Sequence, residues 1–369
     1  MSQPQLEIQL IAVITAVACA LPGAFLVLRR MALLSDAISH SILLGIALAF
    51  FVTRDVASPG LILGAAVVGV LTVALVELLN RSGRVREDAA IGLVFPLLFS
   101  AAVILISRYA GNVHLDVDAV LLGELAFAPL DRVIFAGWDL GPRAAYLMGV
   151  ILVANIAFIY VFYKELKLAT FDAALAAALG FSPVLIHYLL MSLVSVTAVG
   201  AFDAVGSILV VALMIAPPSA AYLLTDNLAR MVITSGAIGA VSAIAGYWTA
   251  HVLDASIAGS MAGAAGAIFG LVLVLAPGRG LVAATRRRAA QKWDFAQTML
   301  AIHLLNHEGR PEQREESRVG GLHRHLSWDE EFIAQVVRGA TRRGLVVTHD
   351  DELVLTDQGR ATARRALVT

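Results

Sequence analysis

The sequence is poor in cysteine and in charge. Cys19 is the single cysteine among 369 residues, which excludes an intramolecular disulfide framework and a cysteine-cluster metal site. Charged residues make up 15% of the chain, whereas soluble domains contain about 25%. Because hydrophobic residues reach 59% and the mean hydropathy is +0.81, the composition indicates an integral membrane protein.

Two signals that would point to other kinds of protein are also missing. The N-terminal segment MSQPQLEIQL has no basic residue, so we expect the first apolar run to be a retained membrane span rather than a cleaved signal peptide. The sequence contains no G-x-x-x-x-G-K-[ST] phosphate loop, so the chain is not expected to hydrolyse nucleotide. It is therefore not expected to be an enzyme, and any use of ATP would fall to a partner.

Long apolar runs occupy about the first three quarters of the chain. They predict an all-α polytopic membrane protein with about eight or nine transmembrane helices. The predicted spans are residues 10–28, 33–52, 61–79, 89–107, 144–162, 184–201, 204–224, 230–250 and 256–276. From Arg286 onward charges become frequent, which predicts a transmembrane domain over residues 1–285 and a second, polar domain over residues 286–369.

Short basic loops alternate with the other connections along the predicted spans. Placing these basic loops inside is consistent with the positive-inside rule and with alternating crossings throughout. The basic residues are Arg29 and Arg30, then Arg81, Arg84 and Arg86, then Lys164 and Lys167, then Arg279 and Arg286 to Arg288. The N-terminus is then predicted outside the membrane and the C-terminal domain in the cytoplasm.

The second predicted span contains an acid and a histidine. Asp36 and His40 are four residues apart, so on a helix their side chains lie on one face. An ionisable group inside a bilayer costs about 2.5 to 3.5 kcal/mol and normally faces a protein interior, a partner or a water-filled path. A carboxylate and an imidazole at this spacing suit a metal site or a proton relay, and a structural hydrogen bond between packed helices is the alternative.

Two long connections carry further candidate residues. The outer connection contains His114, Asp116 and Asp118 in alternation; it predicts a short re-entrant or surface helix, whose side chains either attract cations or are merely solvated. The inner connection, YKELKLATFDAALAAALGFSP, predicts a short cytoplasmic helix that ends at Gly180, shortly before Pro183. Its small residues offer a surface for another subunit, and an ordinary interfacial helix is the alternative.

The polar C-terminal part predicts helices followed by a hairpin. We predict Ser327 as the N-cap of a helix over Trp328–Arg343, and GLVVTHDDELVLT alternates as two short strands. This order favours a small α+β winged-helix domain. Its many acids dilute the basic helix, so nucleic acid is not expected among the partners. Packed or solvated roles are favoured over metal binding for the histidines, which are His303, His307, His323 and His325.

Several blocks, in order, resemble the permease subunits of ABC importers for zinc, manganese and iron. The blocks are RRMALLSDAISHSILLG, SGRVREDAAIGLVF, HLDVDAVLLGE, YKELKLATFDAALAAALGF and VGSILVVALMIAPPSAAYLLT. The resemblance implies that Asp36 and His40 lie on the metal pathway. It also implies that a partner ATPase docks on the inner connection, through Phe171, Asp172, Ala177, Leu179 and Gly180. The tail from Gly344 to Arg365 is similar to the winged-helix domain of iron-dependent repressors.

This resemblance predicts a transmembrane subunit of an ATP-driven importer of divalent metal, with manganese first and zinc or iron next. Its partners would be an ABC ATPase, an extracytoplasmic metal-binding protein and membrane lipid. The permease would form a homodimer, or a heterodimer with a related permease, in the plasma membrane of a prokaryote. No resident cofactor is expected, because the metal is cargo and the partner uses the ATP. A proton-coupled secondary metal transporter and a membrane-tethered metal-responsive regulator remain as alternatives.

Overall fold

The computed structural model describes residues 3–54, 58, 60–109, 125–135, 138–349 and 351–368. The chain divides into two compact units, residues 1–277 and residues 278–369. The predicted boundary at 285/286 falls inside a helix that begins at Leu281. The first turn of this helix is still apolar. The charges that marked the predicted boundary therefore begin a few residues after the first unit has ended.

The first unit consists mainly of long helices. Its helices are α1 (Gln3–Leu28), α2 (Ala32–Thr53), α3 (Gly60–Arg81), α4 (Glu87–Tyr109), α5 (Arg143–Val161), α6 (Tyr163–Phe171), α7 (Ala173–Ala178), α8 (Pro183–Val205), α9 (Ser207–Leu224), α10 (Leu228–Leu253) and α11 (Ile257–Leu275). Among the described residues, nine helices are long and apolar enough to cross a membrane. This confirms the prediction of a polytopic helical membrane protein.

Helix α1 lies at the centre of the first unit and is buried along most of its length. It packs against α5, α8, α9 and α10, whereas α2 packs mainly against α3 and α4. Helices α2 and α3 approach backbone to backbone, since a methyl group added at Gly45 would overlap the carbonyl oxygen of Gly64. Small residues allow this kind of contact between membrane helices. The contact fixes the position of the helix that carries Asp36 and His40.

The connection between α4 and α5 contains a hairpin that the sequence analysis did not predict. Strands β1 (Arg132–Phe135) and β2 (Trp138–Pro142) pair antiparallel. Arg132 joins the hairpin to α1, because its Nη1 atom lies 3.0 Å from an Oε2 atom of Glu7. The residues predicted as a possible outer cation site, His114, Asp116 and Asp118, lie outside the described residues.

The second unit is a small domain of helices and one hairpin. Its elements are α12 (Leu281–His307), α13 (Gln313–Glu316), α14 (Leu322–Leu326), α15 (Glu330–Arg342), β3 (Val346–His349), β4 (Glu352–Leu355) and α16 (Asp357–Val368). The two strands pair antiparallel from Val346 with Leu355 to His349 with Glu352. Buried apolar side chains of α12 and α15 form its core together with those of the hairpin.

The start of α15 differs from the prediction. Asp329, and not Ser327, is the N-cap, because its side chain accepts a hydrogen bond of 2.6 Å from the Phe332 N–H. Ser327 has a φ of 53° and follows the last residue of α14. A serine and an aspartate two residues apart are both good N-caps, so composition alone did not decide between them.

Candidate metal pathway and coupling surface

Asp36 and His40 lie side by side on α2. The Oδ1 atom of Asp36 is 3.3 Å from the Nε2 atom of His40, as the spacing of four residues predicted. The side chain of Asp36 is 44% exposed and that of His40 is 28% exposed within the single chain. The pair lies in the first half of α2, near the end of the span at which the sequence already placed it.

The imidazole of His40 packs against two aromatic rings of α4. Its ring centroid lies 5.6 Å from that of Phe95 and 6.0 Å from that of Phe99. Two hydroxyl groups on the buried face of α2 bond within the helix: Ser35 Oγ donates to the Ala32 carbonyl and Ser39 Oγ to the Ser35 carbonyl. Asp36 and His40 are only partly buried, and Asp36 is the more exposed of the two.

The pair is incomplete as a metal site within one chain. Across the described part of the chain, no third acid or histidine joins Asp36 and His40 in a cluster that could hold a metal ion. Transition metals in proteins usually take four or more ligands. The carboxylate and the imidazole can therefore offer two ligands to a passing cation, and no further side-chain ligand within the described residues completes the set.

Residues 163–180, called here the coupling segment, form two short helices and not the single helix that was predicted. Asp172 separates α6 from α7 and is the N-cap of α7, since its Oδ1 atom accepts a hydrogen bond of 2.9 Å from the Leu175 N–H. Gly180 ends the segment with a φ of +86°, a conformation that side chains with a Cβ rarely adopt. The segment then turns back into α8 at Pro183.

The coupling segment presents an apolar surface. Phe171 is 63% exposed and Leu179 is 59% exposed, and Leu175 lies between them on the same exposed segment. Ala177 is exposed as well, whereas Ala176 is buried. An exposed group of large apolar side chains on an ordered segment is typical of a protein interaction site. Leu175 was not singled out from the sequence, although its position between Phe171 and Leu179 was available.

Arg29 connects the coupling segment to the membrane helices, and the sequence analysis missed this role. Its Nε atom donates to the Thr170 hydroxyl at 3.1 Å, and its Nη1 atom lies 3.4 Å from the Nδ1 atom of His187 on α8. Burial lowers the pKa of Arg29 to about 10, so the guanidinium stays charged at neutral pH. One half-buried cation thus joins the end of α1, the coupling segment and the start of α8.

Glu77 belongs to the same end of the first unit. It forms an ion pair with Arg81 and lies 3.8 Å from His187 Nε2, beside a cavity of about 200 Å³ that Met31 and Leu34 also line. Because Arg81 already neutralises this carboxylate, Glu77 is a structural ion-pair partner rather than a good ligand for a cation.

The chain is similar to known proteins over almost its whole length. The family model described as the ABC 3 transport family matches residues 5–276. The chain is 49% identical over 362 residues to the zinc transport system membrane protein TroD of Treponema pallidum (strain Nichols), covering 98% of each protein. It is 48% identical over 270 residues to the manganese transport system membrane protein MntD of Bacillus subtilis (strain 168), covering 73% of this chain and 91% of that protein.

A solved structure shows a similar arrangement of helices. A chain of PsaBC from Streptococcus pneumoniae, determined in complex with Fab, matches with a TM-score of 0.64 and 26% identity, covering 76% of this chain and 94% of that chain. The family model ends at residue 276, next to the end of the first unit, whereas the similarity to TroD extends through most of the second unit as well.

Proposed function

Because this chain belongs to the ABC 3 transport family, we propose that it is the membrane subunit through which a divalent transition metal crosses the membrane. The main support is the similarity to membrane proteins of zinc and manganese transport systems, at 49% and 48% identity. These two values are almost equal, so they do not rank zinc against manganese. The substrate class is a divalent metal that accepts oxygen and nitrogen ligands.

We propose that Asp36 and His40 bind the metal transiently during its passage. Their half-exposed side chains lie on a helix that is long and apolar enough to span the membrane. A carboxylate in this position is costly unless it faces a partner or a water-filled path. Two copies related by a twofold axis would bring two carboxylates and two imidazoles together, which completes the ligand set that one chain lacks. The dimer is therefore part of the proposal.

The coupling segment is proposed as the docking surface for a separate ATPase. The chain has no phosphate loop of its own, and the apolar side chains of Phe171, Leu175 and Leu179 are exposed. An extracytoplasmic binding protein would deliver the metal on the opposite side of the membrane. The protein needs no resident cofactor in this scheme, because the metal is cargo and ATP is used by the partner.

The second unit is proposed to be a cytoplasmic winged-helix-like domain. Helix α15, the hairpin β3–β4 and helix α16 follow one another in the order that such domains have. The basic side chains of α15 include Arg338 and Arg342, but its first turn carries Glu330 and Glu331. This mixture of charges favours a regulatory or assembly role over DNA binding.

The transport proposal is tested in sealed vesicles that contain the purified chain with its partner ATPase and binding protein. We expect zinc or manganese uptake to require ATP, and to stop when a hydrolysis-deficient ATPase replaces the active one. A pH gradient alone should drive no uptake. Metal uptake by the chain alone, driven by a pH gradient, would instead show a secondary transporter.

A further inference from the structure

Three histidines and a glutamate meet in the second unit, outside any site proposed above. Glu316, at the end of α13, lies against the last turns of α12. Its Oε2 atom is 3.3 Å from His303 Nε2 and 3.1 Å from His325 Nδ1. His307 lies one turn beyond His303, and the two ring centroids are 4.6 Å apart. Residues from three elements thus bring four metal-ligating side chains together, and His303, His307 and Glu316 form the tightest group.

Ordinary packing explains only part of this cluster. His303 Nε2 contacts the main-chain carbonyl oxygen of Glu316 at 3.2 Å, and His307 Nδ1 contacts the carbonyl oxygen of His303 at 2.9 Å. The contact of His307 occupies its Nδ1 atom. The His303 Nε2 atom also faces the Glu316 carboxylate, so it binds a metal only when it gives up its contact with the carbonyl oxygen. The Oε2 atom of Glu316 is buried, however, and among the described residues no donor meets it with hydrogen-bond geometry, although two imidazole nitrogens are close.

A buried carboxylate oxygen without a bonding partner costs free energy. A cation at this position would remove that cost. In a tetrahedral zinc site with bonds of about 2.0 to 2.1 Å, neighbouring ligand atoms are about 3.3 Å apart. The separations of 3.1 and 3.3 Å at Glu316 match this value, and one ligand atom each of His303, His307 and Glu316 lies within 4.8 Å of the others.

We propose that His303, His307 and Glu316 form a binding site for a divalent transition metal, with His325 as the fourth ligand. This reverses the preference for packed histidines that the sequence alone suggested. A set of imidazoles with one carboxylate favours Zn²⁺, Co²⁺ or Fe²⁺ over Mn²⁺, because Mn²⁺ prefers oxygen ligands and binds nitrogen sites more weakly. The site is separate from the Asp36–His40 pair in sequence and in ligands.

Binding of a metal here would fasten three elements of the second unit together. His303 and His307 belong to α12, Glu316 to α13 and His325 to α14. Metal that binds the folded unit but not the unfolded chain raises its stability in proportion to the logarithm of the metal concentration. The second unit should therefore be more stable to heat in the presence of Zn²⁺.

The test uses the full-length protein, purified in detergent and stripped of metal. Co²⁺ is added first, because its visible absorption distinguishes a site with nitrogen ligands and low coordination from the hydrated ion, and Zn²⁺ is then added to displace it. We expect one such site per chain and a Zn²⁺-dependent rise in the unfolding temperature. Mn²⁺ should displace the Co²⁺ at least about tenfold less well than Zn²⁺.

Matched variants separate this site from other metal binding. Glu316→Gln and His307→Gln should each weaken Co²⁺ and Zn²⁺ binding by at least about tenfold. His323→Gln should bind as the wild type does, because His323 Nδ1 contacts the Gly320 carbonyl at 2.9 Å and takes no part in the cluster. The double variant Asp36→Asn, His40→Gln should also keep the site, so that the proposal stands or falls independently of the transport pathway.

Two results would overturn the proposal. One is a wild-type protein that shows no Co²⁺ absorption and no Zn²⁺-dependent change in its unfolding temperature. The other is a Glu316→Gln protein that binds as tightly as the wild type. If a variant is less stable without metal, its unfolding temperature still reports the site, since only a protein with the intact cluster should gain stability when Zn²⁺ is added.

Discussion

At the scale of single residues, the proposed metal pathway depends most on Asp36. It is a carboxylate on a helix long and apolar enough to span a membrane, it is almost half exposed, and its partner among the described residues is His40 at 3.3 Å. Another acid near a helix end in this unit, Glu77, forms an ion pair with Arg81 and is close to His187. Glu77 has an arginine partner, which assigns it a structural role. Asp36 has a histidine partner and remains accessible, so we expect it to be the acid that meets a cation.

Asp36→Asn keeps the shape of the side chain and removes its charge. We predict that metal uptake at limiting metal falls by at least about tenfold, since one opposite charge at 4 Å contributes about 4 kcal/mol at an effective dielectric constant of 20. His40→Gln should reduce uptake as well. Both variants should be inserted and assembled in normal amounts. Transport of ⁵⁴Mn²⁺ or ⁶⁵Zn²⁺ into vesicles, corrected for the amount of folded protein, measures the effect.

Asn155 provides the contrasting control. Its amide donates to the Ala18 carbonyl at 2.8 Å and to the Thr197 hydroxyl at 3.0 Å, so it joins α5, α1 and α8 deep inside the unit. Asn155→Ala should lower stability by about 1 kcal/mol and leave uptake per folded protein nearly unchanged. If Asp36→Asn behaves like this control, the Asp36–His40 pair is structural.

At the scale of elements, the coupling segment joins the membrane unit to a proposed partner. Its exposed apolar side chains lie on or directly after two short helices. Arg29 donates a hydrogen bond to Thr170, the residue before Phe171. A force on α7 would therefore be transmitted to the end of α1 and, through His187, to α8. In the proposed scheme, closure of the partner ATPase would move the membrane helices through this connection.

Leu179→Asp and Ala177→Arg each place a charge on this apolar surface. We predict that either change lowers ATP-driven uptake by at least about tenfold, because truncation or disruption at the centre of an interface commonly costs 2 kcal/mol or more. Leu179→Met keeps the surface apolar and should transport normally. Binding of the ATPase and its stimulation by the chain are the readouts. Normal stimulation in Leu179→Asp would show that docking occurs elsewhere.

The membrane spans were predictable because hydropathy depends only on local composition. The first span begins at Gln3 rather than near Leu10, since helical hydrogen bonding continues through the polar turns before the apolar run. The break at Asp172 was not predicted, because aspartate is tolerated inside a helix and only the conformation shows it to be an N-cap. The hairpin β1–β2 was missed for a similar reason, as its short strands are anchored by Arg132 to Glu7, more than a hundred residues earlier.

In the candidate sites, too, contacts between residues close in sequence could be predicted and contacts that depend on the tertiary fold could not. The spacing of Asp36 and His40 is local, and so the contact between them could be predicted from the sequence. The contacts of Arg29 with His187, and of Glu316 with His303 and His325, depend on the tertiary fold. Neither periodicity nor composition contains that information, and only the packing of the elements brings these side chains together.

At the scale of the whole molecule, the central claim is that two copies share one pathway. Among the described residues, one chain supplies two candidate ligands at this point, Asp36 and His40, and both side chains are partly exposed. Apolar surface is also left exposed along helices α3, α4, α5 and α11, as expected for contact with lipid or with another copy. A twofold axis beside α2 would close the ligand set and cover part of this surface.

Mixed dimers test this claim most directly. The wild-type chain and the Asp36→Asn chain are co-expressed in known ratios with different tags, and uptake is measured in vesicles with the ATPase and the binding protein. If both copies line one pathway, uptake follows the square of the wild-type fraction, and an equal mixture keeps about one quarter of the full rate. If each copy works alone, the equal mixture keeps about one half. A linear dependence on the wild-type fraction would contradict the account, and a quadratic one is the result that it predicts.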